Sequence, residues 1–315
     1  MLRALVSAAL IAFVLRRVSW SALTQIIARA DPSWLAFGWA LTPFLILGLA
    51  GRWRIFVVQQ GLDIPPSRLF FLTWAGQFFN SMLPGSTGGD VVKIYQLCRF
   101  APQEKAAAAA TVFADRLSAL FALTTMCGIA LAIDPVPLRA VLPADTSTGF
   151  IIATGLGLAL LGVAVAWLGL RFLRTTSIGG RIERTLRAAQ HNLRFSAGSV
   201  AALLASFALH ILNFSIIYSF CRALHLTITY PQVLLMMPVL LFIVLLPVTI
   251  NGHGLRELLL VAYFTHFSVS IAGQTGPAVQ EMAVAVSVVT VANDLLWSLP
   301  GGLLYLSKFS KVEQR

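Results

Sequence analysis

Six stretches of this chain, each between 20 and 33 residues long, contain no charged side chain: Pro32–Gly51, Leu69–Gly89, Thr146–Leu170, Phe195–Cys221, Ala223–Leu255 and Leu258–Gln280. About 20 apolar residues in helical form cross the hydrocarbon of a bilayer. Backbone groups in lipid must bond within their own segment, so runs of this kind specify an all-α polytopic membrane protein. Only 11% of the 315 residues are charged and 58% are hydrophobic, whereas a soluble domain carries about 25% charged residues. No polar stretch is long enough to fold outside the membrane, which excludes a soluble catalytic domain.

The net charge of +11 would suggest nucleic acid in a soluble chain. Here the basic residues gather at the ends of apolar runs, so the expected partners are membrane lipids, anionic ones in particular, and not nucleic acid. The Arg171–Arg194 segment, with six arginines and one acid, the Arg52–Arg68 segment, with three and one, and the tail bearing Lys308, Lys311 and Arg315 are expected in the cytoplasm. The Asp134–Asp145 and Gly273–Glu281 loops are expected outside, and both termini inside a cell inner (cytoplasmic) membrane. Arg16, Arg17 and Arg29 run against this bias. The segment from Met1 to Leu15 reads as a retained first membrane helix, because Arg16 and Arg17 stand where a signal peptide would have small residues. Ser177–Arg194 has apolar residues at helical spacing and reads as a helix on the cytoplasmic surface. Cys98, Cys127 and Cys221 lie far apart and read as packing residues.

Two elements break the apolar pattern in the same way. Near residue 84 the chain reads Asn80-Ser81-Met82-Leu83-Pro84-Gly85-Ser86-Thr87-Gly88-Gly89-Asp90, and near residue 247 it reads Leu246-Pro247-Val248-Thr249-Ile250-Asn251-Gly252-His253-Gly254-Leu255-Arg256-Glu257. Each is an apolar helix ending at Leu-Pro, a Gly-rich turn, and a charged residue opening another helix. The flanks repeat as well. Arg52-Trp53-Arg54 precedes the first element and Cys221-Arg222 the second, while Asp115-Arg116 follows the first and Asn293-Asp294 the second. Counting from a cytoplasmic start, the two copies run in opposite directions, which is a transporter plan. The expected architecture is one integral membrane domain over 1–315. It is an inverted repeat with about six full transmembrane helices plus two re-entrant helical hairpins, repeat one covering about 33–133, repeat two about 196–306 and the surface helix about 177–194. Parity alone leaves open whether the Gly-rich turns are re-entrant or join full crossings.

Arg52-Trp53-Arg54, Phe79-Asn80-Ser81-Met82-Leu83-Pro84-Gly85 with Gly88-Gly89-Asp90 and Lys93, Ala114-Asp115-Arg116-Leu117, and Leu246-Pro247 with Gly252-His253-Gly254 and Arg256-Glu257 together resemble the lysylphosphatidylglycerol synthase transmembrane-region family. That family includes stand-alone flippase-like inner-membrane proteins and the N-terminal flippase part of the multiple peptide resistance factor. The resemblance runs from about Leu2 to Leu306. Lys93 departs from it, standing where the family commonly has arginine, and no synthase domain follows, so lysyl transfer is not carried over.

The resemblance implies a lipid flippase, moving a phospholipid or lipid-linked headgroup between leaflets, and no enzyme activity, catalytic residue, metal or cofactor. Residues that would line the headgroup path are Arg52, Arg54, Asn80, Pro84, Gly85, Gly88, Gly89, Asp90, Lys93, Asp115 and Arg116 in the first half. In the second half they are Asn251, Gly252, Gly254, Arg256, Glu257, Asn293 and Asp294. Charged groups inside membrane segments pair with one another or mark a pathway; for Asp115-Arg116 and Arg256-Glu257 pairing is the competing reading, and for Arg52, Arg54 and Arg222 snorkelling to the interface is. Guanidinium suits phosphate better than ammonium, which favours Arg116 and Arg256 over Lys93 as phosphate contacts. A small-solute or ion-coupled secondary transporter is the alternative function. An intramembrane enzyme is a weaker one, since His253 and Glu257 lack a second histidine for a zinc set. A homo-oligomer and a separate lipid-synthesising enzyme remain open as partners, as do the lipid, the direction and the energy source. The topology is checked by cysteine labelling in intact cells: Ser177→Cys is expected to resist a membrane-impermeant reagent added outside, and Thr146→Cys to react with it.

Overall fold

The computed structural model describes residues 19–82, 88–134, 149, 197–245, 254–272 and 279–309. Among the described residues the chain is helical without a strand, in nine helices: α1 (Trp20–Ala28), α2 (Pro32–Gln59), α3 (Pro66–Met82), α4 (Gly88–Phe100), α5 (Lys105–Ile133), α6 (Ala197–Ala223), α7 (Tyr230–Leu245), α8 (Leu255–His266) and α9 (Val279–Phe309). Four of them, α2, α5, α6 and α9, are long and apolar enough to cross a membrane. At 1.5 Å per residue, the 28 residues of α2 extend about 42 Å, enough for a full bilayer with its headgroups. Two further crossings expected from the sequence, Met1–Leu15 and, apart from Gly149, Thr146–Leu170, lie outside the described residues, as does the surface helix Ser177–Arg194.

The uncharged runs and the helices do not coincide. Ala223–Leu255 has 33 residues without charge, yet among its described residues the one helix lying wholly inside it is the 16-residue α7, entered through a turn at 224–229. Conversely, α5 and α9 carry Asp115-Arg116 and Asp294 inside long apolar helices. The order long, medium, short, long occurs twice, with 28, 17, 13 and 29 residues in α2 to α5 and 27, 16, 12 and 31 in α6 to α9.

The start of α2 is set by local chemistry. Asp31 caps it through a 2.8 Å bond from the Ser33 N–H, and Pro32 fills the first turn, where its missing N–H costs nothing. The Asp31 N–H in turn donates to the carbonyl of Ala223 at the end of α6. From there α2 and α6 run antiparallel along their whole length. Gly38 lies against Ser219 and Phe220, Gly48 against Leu209, Arg52 against Ser206, and Gly198 against Gln59 and Ile55. Small residues let such backbones approach closely where no hydrophobic effect separates helix from lipid. The face of α2 turned away from this contact exposes Phe37, Phe44, Leu47 and Val58, the side chains a lipid environment would cover.

Around this pair the halves lean on each other crosswise. The arm α3 packs on α9: the Trp74 indole donates to the Trp297 carbonyl, Phe79 meets the edge of Tyr305 at 5.2 Å, and Gly301 and Gly302 leave room for Trp74 and Phe78. Its counterpart α7 packs on α5, with Val233, Met236 and Met237 sharing a core with Cys127 and Ala130. A second core, of Trp53, Val57, Leu69, Leu72, Leu97 and Val112, fills the space between α2, α3, α4 and α5. The glycine contacts are testable. A Cβ at Gly38 would stand 2.2 Å from the Ser219 hydroxyl and 2.5 Å from the Phe220 ring, so Gly38→Val is expected to destabilise the folded protein by about 1–3 kcal/mol through overpacking. Thermal unfolding in detergent measures it, with Gly51→Val, where a Cβ meets nothing within 4 Å, expected to be milder.

Candidate functional site

Five charged residues of the first half, Arg52, Asp90, Lys93, Asp115 and Arg116, gather where α2, α4 and α5 meet. Arg52, although near the end of α2, does not snorkel. It is 5% exposed and forms a two-pronged pair with Asp115 of α5, Nε to Oδ1 at 2.8 Å and Nη2 to Oδ2 at 3.1 Å. Its Nη1 donates to the Ser206 hydroxyl of α6 at 3.2 Å, and that hydroxyl lies 3.2 Å from Ser118. Three long helices, two from the first half and one from the second, are thereby joined by one buried polar chain. Next to it the Trp53 indole donates to Thr111 at 3.1 Å.

Asp115 and Arg116, adjacent in sequence, point different ways and have different partners. Arg116 pairs with Asp90 in the same two-pronged manner, Nε to Oδ2 at 2.7 Å and Nη2 to Oδ1 at 2.8 Å. Arg116 is 49% exposed and its acid 16%. Asp90 lies in the first turn of α4, where the helix dipole favours a carboxylate. That turn is pinned by Asn80 of α3, whose side-chain oxygen accepts the Gly89 N–H at 2.8 Å. Only glycine fits at 89, because a Cβ there would lie 2.2 Å from the Gly76 carbonyl oxygen. Gly88 opens the same helix. Lys93, one turn further, extends past Gly76 and sets its ammonium 5.0 Å from the centre of the Trp53 ring.

The second half again places an acid in the first turn of its short helix. Glu257, in the first turn of α8, accepts the Gly254 N–H at 2.6 Å and bonds to the Ser287 hydroxyl of α9. Arg256 donates to the same hydroxyl and to Glu257 at 3.3 Å, and its Nε is buried with no partner among the described residues. Asp294, midway along α9, is within electrostatic reach of Arg256 and is exposed. Asn293, beside it, is buried and accepts the Thr42 hydroxyl of α2 at 3.0 Å. In both halves the short helix bears a first-turn acid; across from it the long helix offers Arg116 in the first half and Ser287 in the second, where the short helix also bears Arg256.

Of the residues expected to line a path, the structure brings Arg52, Asn80, Gly88, Gly89, Asp90, Lys93, Asp115 and Arg116 into one cluster, and Gly254, Arg256, Glu257 and Asp294 into another. Asn293 lies on α2 through Thr42. Arg54 joins neither: it is exposed on the same stripe as Phe44, Leu47 and Val58, the position of a snorkelling side chain. Pro84, Gly85, Asn251 and Gly252 lie outside the described residues, as does His253. Among the described residues no group of three His, Cys, Asp or Glu side chains could hold a metal ion. Sequence reasoning missed Thr42, Ser118, Ser206 and Ser287. In α9 the signal was present as Ser287, Thr290 and Asp294, polar residues on one helical face of an otherwise apolar segment.

The buried pair makes a stability prediction. Removing one partner of a buried ion pair strands the other charge and costs about 3–5 kcal/mol. Arg52→Ala and Asp115→Ala are each expected to show that loss in thermal unfolding, whereas the joint change Arg52→Met with Asp115→Leu is expected to recover most of it.

Comparison with known proteins places these residues in context. No curated protein matches the chain. The family described as the lysylphosphatidylglycerol synthase TM region matches residues 1–302, which takes in both charged clusters and all four long apolar helices but the end of the last. The chain belongs to the lysylphosphatidylglycerol synthase TM region family.

Proposed function

We propose that this protein moves a lipid with an anionic or mixed-charge headgroup between the leaflets of the cytoplasmic membrane, without a chemical step, its two halves acting as inverted copies. The observation that carries the reading is accessible charge partway along membrane-length helices: Arg116 in α5 is half exposed, and Asp294 in α9 is exposed. A charge facing lipid at that depth is costly, so such groups face a watered cavity or a bundle interior. A cavity of this kind is what a headgroup needs in order to cross while its acyl chains stay in lipid. Membership of a family named for a lipid synthase's membrane region fits the same substrate class.

The inverted-repeat reading is supported by the antiparallel course of α2 and α6 and by the crosswise packing of α3 on α9 and α7 on α5. An exchange of this form follows from a two-fold axis between α2 and α6. The re-entrant reading of α3–α4 and α7–α8 is supported by their lengths. At 17 and 16 residues, α3 and α7 extend only about 25 Å, short of a hydrocarbon core of about 30 Å. In both halves the acids hold the bases in position: Asp90 orients Arg116, Asp115 orients Arg52 and Glu257 orients Arg256.

Leaflet exchange of a fluorescent phospholipid in reconstituted vesicles tests the proposal. Arg116→Ala and Arg256→Ala are expected to abolish the protein-dependent rate with the protein folded and inserted. Asp90→Asn is expected to reduce it less, since it keeps the shape and much of the hydrogen bonding. Full lipid movement by a well-folded double variant lacking both arginines would reduce these pairs to helix ties. Uptake of a water-soluble solute without any lipid movement would instead favour a small-solute or ion-coupled transporter.

A further inference from the structure

The charge count at the first cluster leaves a remainder. Arg52 and Arg116 each sit in a two-pronged pair with their own aspartate, so both guanidinium forks are committed. Lys93 is the third cation in the same neighbourhood, within electrostatic reach of Asp90, Asp115, Arg52 and Arg116. Among the described residues its ammonium has no hydrogen-bond or ion-pair partner and rests only on the face of Trp53 at 5.0 Å. Three positive groups therefore stand against two negative ones. The surplus is one positive charge, located at the least-bonded of the five.

Resting on the reading of this site as a headgroup path, we infer that Lys93 is the substrate-contacting residue of the first half and that it receives a singly charged phosphate group, the phosphodiester of a phospholipid. Three features of its setting carry the assignment. First, the end of its side chain is held between the Gly76 backbone and the Trp53 ring: a Cβ at 76 would press on Lys93 Cε at 3.2 Å, and Nζ stands 5.0 Å from the centre of the ring. Lys93 is half-buried, and holding it in this way pre-organises the ammonium and lowers the entropy lost on binding. Second, an ammonium has three donors and no acceptor, and the aromatic face satisfies charge without using them, so all three remain for oxygen ligands. Third, the neighbouring Arg116 is half exposed while its fork is held by Asp90. It offers positive potential at the entrance without competing for the anion as a second fork. A monoanion neutralises the cluster, whereas a dianion would leave an uncompensated negative charge beside Asp90 and Asp115. Dianionic heads are disfavoured on that account.

Phosphate chemistry at Lys93 has two sources, a lipid phosphodiester and free inorganic phosphate, and equilibrium binding to the full-length protein in detergent separates them. Native mass spectrometry reads occupancy by phosphatidylglycerol, by diacylglycerol as the matched lipid without phosphate, and by inorganic phosphate alone. Lys93→Met keeps the stem on Trp53 and removes the charge. It is expected to weaken phosphatidylglycerol by about tenfold, the scale of one charge-assisted hydrogen bond, with diacylglycerol unchanged. Lys93→Arg is expected to stay within about threefold of the parent, since charge and donors are kept. Arg99→Gln, exposed near the other end of α4, is expected to change nothing. Parent-like phosphatidylglycerol binding by a Lys93→Met protein of unaltered melting temperature would overturn the inference, and so would tighter binding of inorganic phosphate than of the lipid. Because binding is read without leaflet movement, loss of transport with this binding pattern intact would count against the proposed function and not against Lys93.

Discussion

The interaction on which the rest depends is the buried pair between Arg52 and Asp115, extended through Ser206 to Ser118. An ion in a low-dielectric interior is tolerable only when its partners are in place. This one has partners on α5 and α6, so α2, α5 and α6 must come together in a single register for the arginine to be buried at all. Apolar packing between such helices is permissive, because lipid tails compete equally for every leucine. The polar chain adds the discrimination that packing lacks. With α2 fixed against α5 and α6, Trp53 is placed to meet Thr111 and to present its ring to Lys93.

The charge placement in the two halves follows a single geometric rule. In each copy the first turn of a short helix faces the middle part of the next long helix, α4 toward α5 and α8 toward α9. A carboxylate in that first turn serves twice, satisfying helix-end N–H groups or the dipole while holding a polar partner across the gap. Asp90 and Glu257 both do so, but the partners differ, an arginine in one half and a serine in the other. Arg256 lies beside its acid on the short helix, and Asp294 stands opposite. Identical backbone plans thus present a surplus of positive charge in the first half and of negative charge in the second, where Arg256 stands against Glu257 and Asp294.

Much of this was legible in the sequence, for identifiable reasons. Asp115-Arg116 and Asn293-Asp294 marked the long helices α5 and α9, while the turns at Pro84 and Pro247 lie outside the described residues. Counting uncharged residues was a poorer guide. It overlooked α5 and α9, which are interrupted by the charges that matter, and it treated Ala223–Leu255 as one run although a turn at 224–229 divides it. Pairing was less legible still. Neighbours in sequence invite the assumption of a mutual bond, but consecutive residues of a helix point about 100° apart, so Asp115 and Arg116 reach different helices. Arg52 and Arg54 differ for the same reason, one directed at α5 and the other out to the lipid side. Serine and threonine partners such as Ser206 and Thr42 were invisible because single hydroxyls in apolar helices normally bond their own backbone.

The crosswise packing also bears on how the protein is made. The arm α3 finds a glycine-lined seat on α9, whose Gly301 and Gly302 are synthesised long after it. Until then the aromatic face of Trp74, Phe78 and Phe79 has no protein surface to lie on, and lipid or a membrane chaperone must cover it. The arm α7 has no such wait, since α5 precedes it in synthesis. Two halves alike in helix order are therefore unlike in biogenesis: α7 assembles onto a helix already made, and α3 is completed by one made much later.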